Sequence, residues 1–301
     1  CFAPGFAGVL PVFVSIDGTG SMDQVPYHLQ EELPKFIELV TEQDVSYHPN
    51  VLFTCHDDEL VLPPDGVFQM SQFEAGAPEL LQALNEMVIP HRGGANRGEA
   101  YHLSFYAAAF HTRLEPYERD GTKGFFFMIG DEQPYYDAQD PAIYGTTSAT
   151  AQAVFGDVIQ EAVTMRTSVQ KTLDRYHVFV IRPGHTSNGK DTSITRIWQK
   201  LLGDAGGNPQ HVLEIEETDA IVPTMALAVG RMHGEEPDEL VDVLRSKGVK
   251  GLASAFDFLA KSATGAWRKF WSSPVHGLRN RREAQRRQSR DHSPVVRCFC
   301  S

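Results

Sequence analysis

Three oxygen-bearing side chains stand at alternate positions, Asp17, Thr19 and Ser21, in the stretch Val12-Phe13-Val14-Ser15-Ile16-Asp17-Gly18-Thr19-Gly20-Ser21-Met22. An apolar run stops at an acid. Two glycines then separate the three oxygens, which lets a tight loop turn all of them inward. Two hydroxyls and a carboxylate are hard donors, the kind that Mg2+ or Mn2+ takes. Such a set leaves much of the cation's charge unneutralised, so a carboxylate from outside can complete the shell.

Phosphate chemistry is the competing reading. A Walker loop needs a lysine after its second glycine, and none follows Gly18 or Gly20. A dinucleotide fingerprint needs a third glycine where Asp23 stands. An Asp-x-Asp-Gly-Thr phosphotransfer loop would place its nucleophile at Ser15. Sugar kinases do use an Asp-Gly-Thr loop, which keeps a Mg-dependent nucleotide-binding or phosphoryl-transfer enzyme as the alternative. A plainer option also stands: Ser21 or Thr19 caps the next helix while Asp17 steadies the turn.

The surrounding elements decide how such residues are positioned. Pro11–Ile16, Val51–Cys55, Gly124–Gly130 and His177–Ile181 are short apolar runs that read as strands buried on both faces. A weaker strand falls at His211–Leu213. Helical spacing is found over 24–41, with Pro34 as a kink, and over 78–89, 99–112, 149–175, 194–202 and 219–232. Alternation of this kind predicts an α/β fold: a doubly wound, mainly parallel sheet with helices on both faces. Ligands bind at the carboxyl ends of such strands. Asp17–Ser21, Gly93–Asn96 and Asp131 all fall there, which strengthens the metal reading.

Charge and composition bound the function further. The chain carries 27 basic and 39 acidic side chains, a net charge of −12. About 14 of the basic and about 31 of the acidic residues lie in 1–234, so the body repels nucleic acid and anionic lipid. From 235 onward basic residues prevail. Residues 235–275 read as an amphipathic helical segment with a stripe from Val249 through Trp267 to Phe270, and 276–301 as a basic, disordered tail. That tail could touch a membrane or an acidic partner. No run reaches the roughly 18 to 20 apolar residues of a membrane span. Cys1-Phe2-Ala3-Pro4-Gly5 has neither an initiator Met nor a basic n-region and reads as a fragment or processed end. Cys1, Cys55, Cys298 and Cys300 form no disulfide framework, which points to a cytoplasmic setting. Cys298-Phe299-Cys300 lacks two ligands of a zinc site.

Taken together, the loops resemble von Willebrand factor A (vWA) domains of the bacterial, intracellular type. Ile16-Asp17-Gly18-Thr19-Gly20-Ser21-Met22 is similar to the first motif of their metal-ion-dependent adhesion site. Gly93-Gly94-Ala95-Asn96 with Gly98-Glu99-Ala100-Tyr101 resembles the second, and Ile129-Gly130-Asp131-Glu132 the third. The resemblance covers about residues 8–234 and implies a Mg2+ (or Mn2+) site made by Asp17, Thr19, Ser21, Asn96 and Asp131. Ala95 stands where many members have a Thr ligand, so Asn96 or water must substitute. The implied role is binding, not catalysis: a scaffold or assembly factor that takes an acidic side chain of a partner protein, in a multi-protein system beside an ATPase.

Other polar residues read more plainly. Asp57 and Asp58 are solvated turn acids, with one of them a candidate to hold a metal-bound water. His56 lies near the rim. His91, His102 and His111 are surface or packing residues, Glu99 caps or anchors its loop, and Ser15 and Ser104 lack a nucleophile-elbow context.

Overall fold

Val12, Phe13, Val14 and Ile16 all have no solvent exposure, because helices cover both faces of their strand. A computed structural model describes residues 8–41, 47–59, 64–92, 99–134 and 145–234, with Val241, Asp242 and Arg245. The expectations for the N-terminal end, for 93–98 with Ala95 and Asn96, and, those three residues apart, for 235–275 and 276–301 lie outside the described residues.

Along the chain the elements are β1 (Gly8–Asp17), α1 (Val25–Thr41), β2 (Tyr47–His56), α2 (Pro64–Val67), β3 (Phe68–Met70), α3 (Ala77–Glu86), α4 (Tyr101–Phe110), α5 (Glu115–Asp120), β4 (Gly124–Ile129), β5 (Gly145–Thr146), α6 (Ser148–Thr150), β6 (Val163–Thr164), α7 (Met165–Arg175), β7 (Tyr176–Pro183), α8 (Thr192–Asp204), β8 (Val212–Ile215) and α9 (Ile221–Met232). Six strands form one sheet in the order β3-β2-β1-β4-β7-β8. Every pairing in it is parallel except that of the edge strand β3. One apolar cluster packs α1, α3 and α9 against one face, and a second packs α4, α7 and α8 against the other. This is the doubly wound, mainly parallel α/β fold that the alternation of elements predicts.

From β1 the chain first builds outward to β2 and β3, then returns to add β4, β7 and β8 on the other side. The winding reverses between β1 and β4, and there the crossovers part to leave a crevice at the carboxyl ends. Ile16 of β1 pairs with Ile129 of β4. Asp17 follows the first directly and Asp131 stands two places after the second, so register alone brings the two acids to one end of the sheet.

Three departures from the sequence reading have local causes. The single helix expected over 149–175 is broken. It begins as α6 and one π turn, stops at Gly156, whose φ of 75° no side-chain-bearing residue adopts easily, and resumes only as α7. Between them, β6 pairs with β5 in a small antiparallel ribbon. Strand β3 and helix α5 are too short to leave a periodic pattern.

Phe127 sits at the middle of β4 with no exposure, stacked on Phe179 at 5.5 Å between ring centroids. Phe127→Ala should cost about 3–5 kcal/mol by cavity formation. The expected result is a lower midpoint of urea unfolding with an unchanged m-value.

Candidate metal centre

Asp17 is the last residue of β1 and is fully buried. Its Oδ1 accepts hydrogen bonds from the Thr19 amide at 2.9 Å and the Thr19 hydroxyl at 2.6 Å. The Ser21 hydroxyl donates to Asp131 Oδ1 at 2.8 Å. Thr19 Oγ1 and Ser21 Oγ lie 3.0 Å apart. Four of the residues expected from sequence therefore form one continuous line of oxygens, Asp17–Thr19–Ser21–Asp131. The fifth, Asn96, lies outside the described residues.

A hydroxyl has one proton. With the Thr19 proton on Asp17 and the Ser21 proton on Asp131, none is left between the two hydroxyl oxygens. A cation bound to both oxygens would take up the lone pairs that face each other in that arrangement. The donor set suits a hard, oxygen-seeking ion. Among the described residues no three His, Cys, Asp or Glu side chains gather as a metal cluster, so the hydroxyls are indispensable to any such site.

The loop geometry disfavours phosphate. The amides of Gly18, Thr19 and Gly20 are already spent, on His56 O at 2.7 Å, Asp17 Oδ1 at 2.9 Å and Arg92 O at 2.9 Å. A phosphate cradle needs such N–H groups unspent. Nor is the loop a plain cap: Thr19 makes no side-chain capping bond, and α1 begins only at Val25. Steadying of the turn by Asp17 does hold. The two glycines serve close approach, since a Cβ on Gly18 would stand 2.5 Å from Cys55 Sγ and one on Gly20 2.9 Å from Arg92 O.

Further acids gather near this line. Asp57, Asp58, Glu99 and Glu132 are buried as well, which corrects the view of Asp57 and Asp58 as solvated turn acids. Asp57 and Asp58 are the two residues that directly follow the end of β2 at His56. Asp57 accepts from the Asp58 amide at 2.6 Å and the Arg92 amide at 3.3 Å. Burial, then the charge of Asp131, pushes the Asp17 carboxyl up to about 7, against the hydrogen bonds from Thr19 and Tyr101 that lower it. Burial, then Asp17, Asp58, Asp57 and Glu132, pushes Glu99 up to about 10. Glu99 Oε2 is buried with no hydrogen-bond partner among the described residues.

Several residues of the site escaped the sequence reading. The Tyr101 hydroxyl donates to Asp17 Oδ2 at 2.6 Å and accepts from the Glu132 amide at 3.2 Å, joining the first and third loops. Its place at the end of the second motif was the available signal. Trp198 Nε1 donates to Glu132 O at 3.0 Å. The Glu99 amide donates to Gln133 O at 3.2 Å, so Glu99 anchors its loop as expected, through its backbone. His56 is buried rather than at the rim. Its Nδ1 lies 3.3 Å from both Ser15 Oγ and Ser104 Oγ, and burial holds it neutral, with a pKa of about 3. Ser15 donates to Ser104 at 2.6 Å, and both are fully buried. His102 is buried beside Glu59, His111 pairs with Asp157 at 2.8 Å, and His91 is exposed.

No protein-family model matches the chain, and no curated protein sequence matches it. Solved structures do resemble it. The pilus adhesin SpaC from Lactobacillus rhamnosus GG superposes with a TM-score of 0.51 at 12% identity, over 79% of this chain and 31% of SpaC. The chain thus spans about a third of that adhesin's length. The vWF domain of the type V pili tip protein Mfa5 from Porphyromonas gingivalis gives 0.46 at 7% identity, over 76% of this chain and 97% of that domain. An aerotolerance-related membrane protein from Bacteroides fragilis gives 0.41 at 11%, over 74% of this chain and all of that one. At these identities the likeness concerns the fold alone. Among the described residues no helix is long and apolar enough to cross a membrane.

The raised carboxyls set a pH dependence. The folded pKa of Asp17 lies above its ordinary 3.8, so unfolding releases protons between the two values and stability falls as pH rises. The protein in EDTA should lose melting temperature from about pH 4 through about pH 7. Cation binding needs ionised Asp17, so the shift produced by Mg2+ should grow across the same window. A Mg2+ shift that stays constant with pH would remove Asp17 from the site.

Proposed function

We propose that the chain is a divalent-metal-dependent protein-binding module, a scaffold or assembly factor rather than an enzyme. Asp17, Thr19, Ser21 and Asp131, with Asn96 from the second loop, would hold Mg2+ (or Mn2+). The ion supplies an open position that an acidic side chain of a partner protein fills. The chain's own residues orient the two hydroxyls through the two carboxylates, and the buried acids beneath keep the ion seated while leaving part of its charge for the partner. The single observation that carries this reading is the continuous line of oxygens from Asp17 through Thr19 and Ser21 to Asp131, with Thr19 Oγ1 and Ser21 Oγ 3.0 Å apart.

Further support is general. SpaC is an adhesin, a kind of protein that works by binding. The spent amides of the first loop speak against the nucleotide-binding alternative. A cytoplasmic, bacterial setting and an ATPase-linked complex complete the proposal; they rest on cysteine usage and on the motif resemblance.

Thermal unfolding tests the module directly. Mg2+ or Mn2+ alone should raise the melting temperature, with a stabilisation of about 2.7 kcal/mol once the ion reaches a hundred times its dissociation constant. Asp17→Ala should erase that shift. If neither ion moves the wild-type melting temperature, the metal reading fails. Stabilisation that appears only when ATP or ADP accompanies Mg2+ would favour the enzyme.

A further inference from the structure

One wall of the site comes from a segment that no motif marks, the turn between β7 and α8. It is anchored by Arg182, a guanidinium with no solvent exposure. Nη2 of Arg182 donates to Asn188 O at 2.7 Å and to Asp131 O at 3.1 Å. Nη1 donates to Asp191 O at 3.1 Å and to Thr195 Oγ1 at 2.5 Å, and lies 3.6 Å from Glu214. One side chain therefore ties the third loop, the β7–α8 turn and α8 together. Burial of so many donors is tolerable because nearly all of them are satisfied, and the planar fork reaches several carbonyls at once.

The turn is closed tightly. Thr186 Oγ1 donates to Pro183 O at 2.7 Å. A Cβ on Gly189 would stand 1.9 Å from Pro183 O and 2.8 Å from Gly184 Cα, so only glycine fits there. Held in this way, the turn meets the first loop through the Ser187 amide, 3.3 Å from Ser21 O. It meets the third through Asn188. The Asn188 amide donates to Asp131 Oδ2 at 3.0 Å, and its side-chain Nδ2 donates to Glu132 Oε2 at 2.9 Å.

Asp131 is thereby fixed at three points: Oδ1 by the Ser21 hydroxyl, Oδ2 by the Asn188 amide, and its carbonyl by Arg182. A carboxylate held in one rotamer before the ion arrives loses less freedom on binding. Glu132, the next acid in the chain, is held by Asn188 and by its own neighbour, the Gln133 amide at 2.9 Å.

We propose that Asn188, seated by buried Arg182 and by Gly189, is a positioning residue for the cation that fixes the carboxylate of Asp131 and restrains Glu132. The proposal rests on the metal-site reading above and adds to it a fourth segment that sets how tightly the ion is held.

Asn188→Asp separates positioning from simple electrostatics, because the two predict opposite signs. The new carboxylate is isosteric and adds negative charge near the ion, which on charge alone would tighten binding. Positioning predicts the reverse, since the donor to Glu132 is lost and two acids now repel across the turn. Calorimetric titration of the full chain with Mn2+ should show affinity lowered about tenfold or more. Gly189→Ala, which keeps every side chain but displaces the Asn188 amide, should weaken Mn2+ binding in the same range. The melting temperature of Asn188→Asp in EDTA should fall only slightly, by no more than the loss of its one side-chain bond to Glu132. Equal or tighter Mn2+ binding by Asn188→Asp overturns the proposal. So does a loss of melting temperature in EDTA large enough to account for the weaker binding, which would make the turn a structural brace. Wild-type protein that binds no Mn2+ overturns the site reading itself, and is told apart by needing no variant.

Discussion

Two carboxylates with no solvent exposure, Asp17 and Asp131, end neighbouring regions of one parallel sheet, and like charges there are costly unless something positive faces them. The remaining features of this edge can be understood as responses to that constraint. Hydroxyl protons from Thr19, Ser21 and Tyr101 point at the two acids. Backbone amides of Thr19 and Asn188 do the same. The nearby buried cation, Arg182, spends its hydrogen bonds largely on carbonyls rather than on either carboxylate. Charge is thus solvated by dipoles without being cancelled, which is the condition a site must meet to retain affinity for a free cation.

The strand order explains why this edge and not another bears the burden. Reversal of winding between β1 and β4 opens the sheet at its carboxyl end, and parallel pairing puts both strand ends at the same height. The packed strands, with Phe126, Phe127 and Ile129 at full burial, hold the loops at this end at fixed separation.

Sequence made most of this legible, and the failures have a physical pattern. The long buried strands and the residue types at their ends were visible because burial on both faces demands unbroken apolar runs and because a loop acid stands out after them. The doubly wound order and four members of the oxygen line, Asp17, Thr19, Ser21 and Asp131, could be read directly. The short elements α2, β3, β5, β6 and α5 were missed because so few residues leave no recognisable periodic pattern. Asp57 and Asp58 were misjudged because two adjacent acids after a strand usually mean water, and only their burial in the fold shows otherwise. Arg182 and Asn188 were invisible for a different reason. Arg182 acts mainly on carbonyls, and Asn188 gives its amide and its side chain to carboxylates of a loop distant in sequence, and such bonds leave no pattern of side-chain types to find.

The first and third loops are held to each other in a way that bears on the unusual residue of the second motif. The chain leaves the described first part at Arg92, whose carbonyl accepts from Gly20, and His91 donates to the Gly18 carbonyl at 2.9 Å. It resumes at Glu99, whose amide meets the loop that carries Asp131, and two residues later Tyr101 bonds to Asp17. Both exits of the second motif are thus fastened to the loops that bear the oxygen line. Alanine at 95 carries no ligand atom, so the proposed ion would rest on the other donors, among which Asp131 is held from three directions.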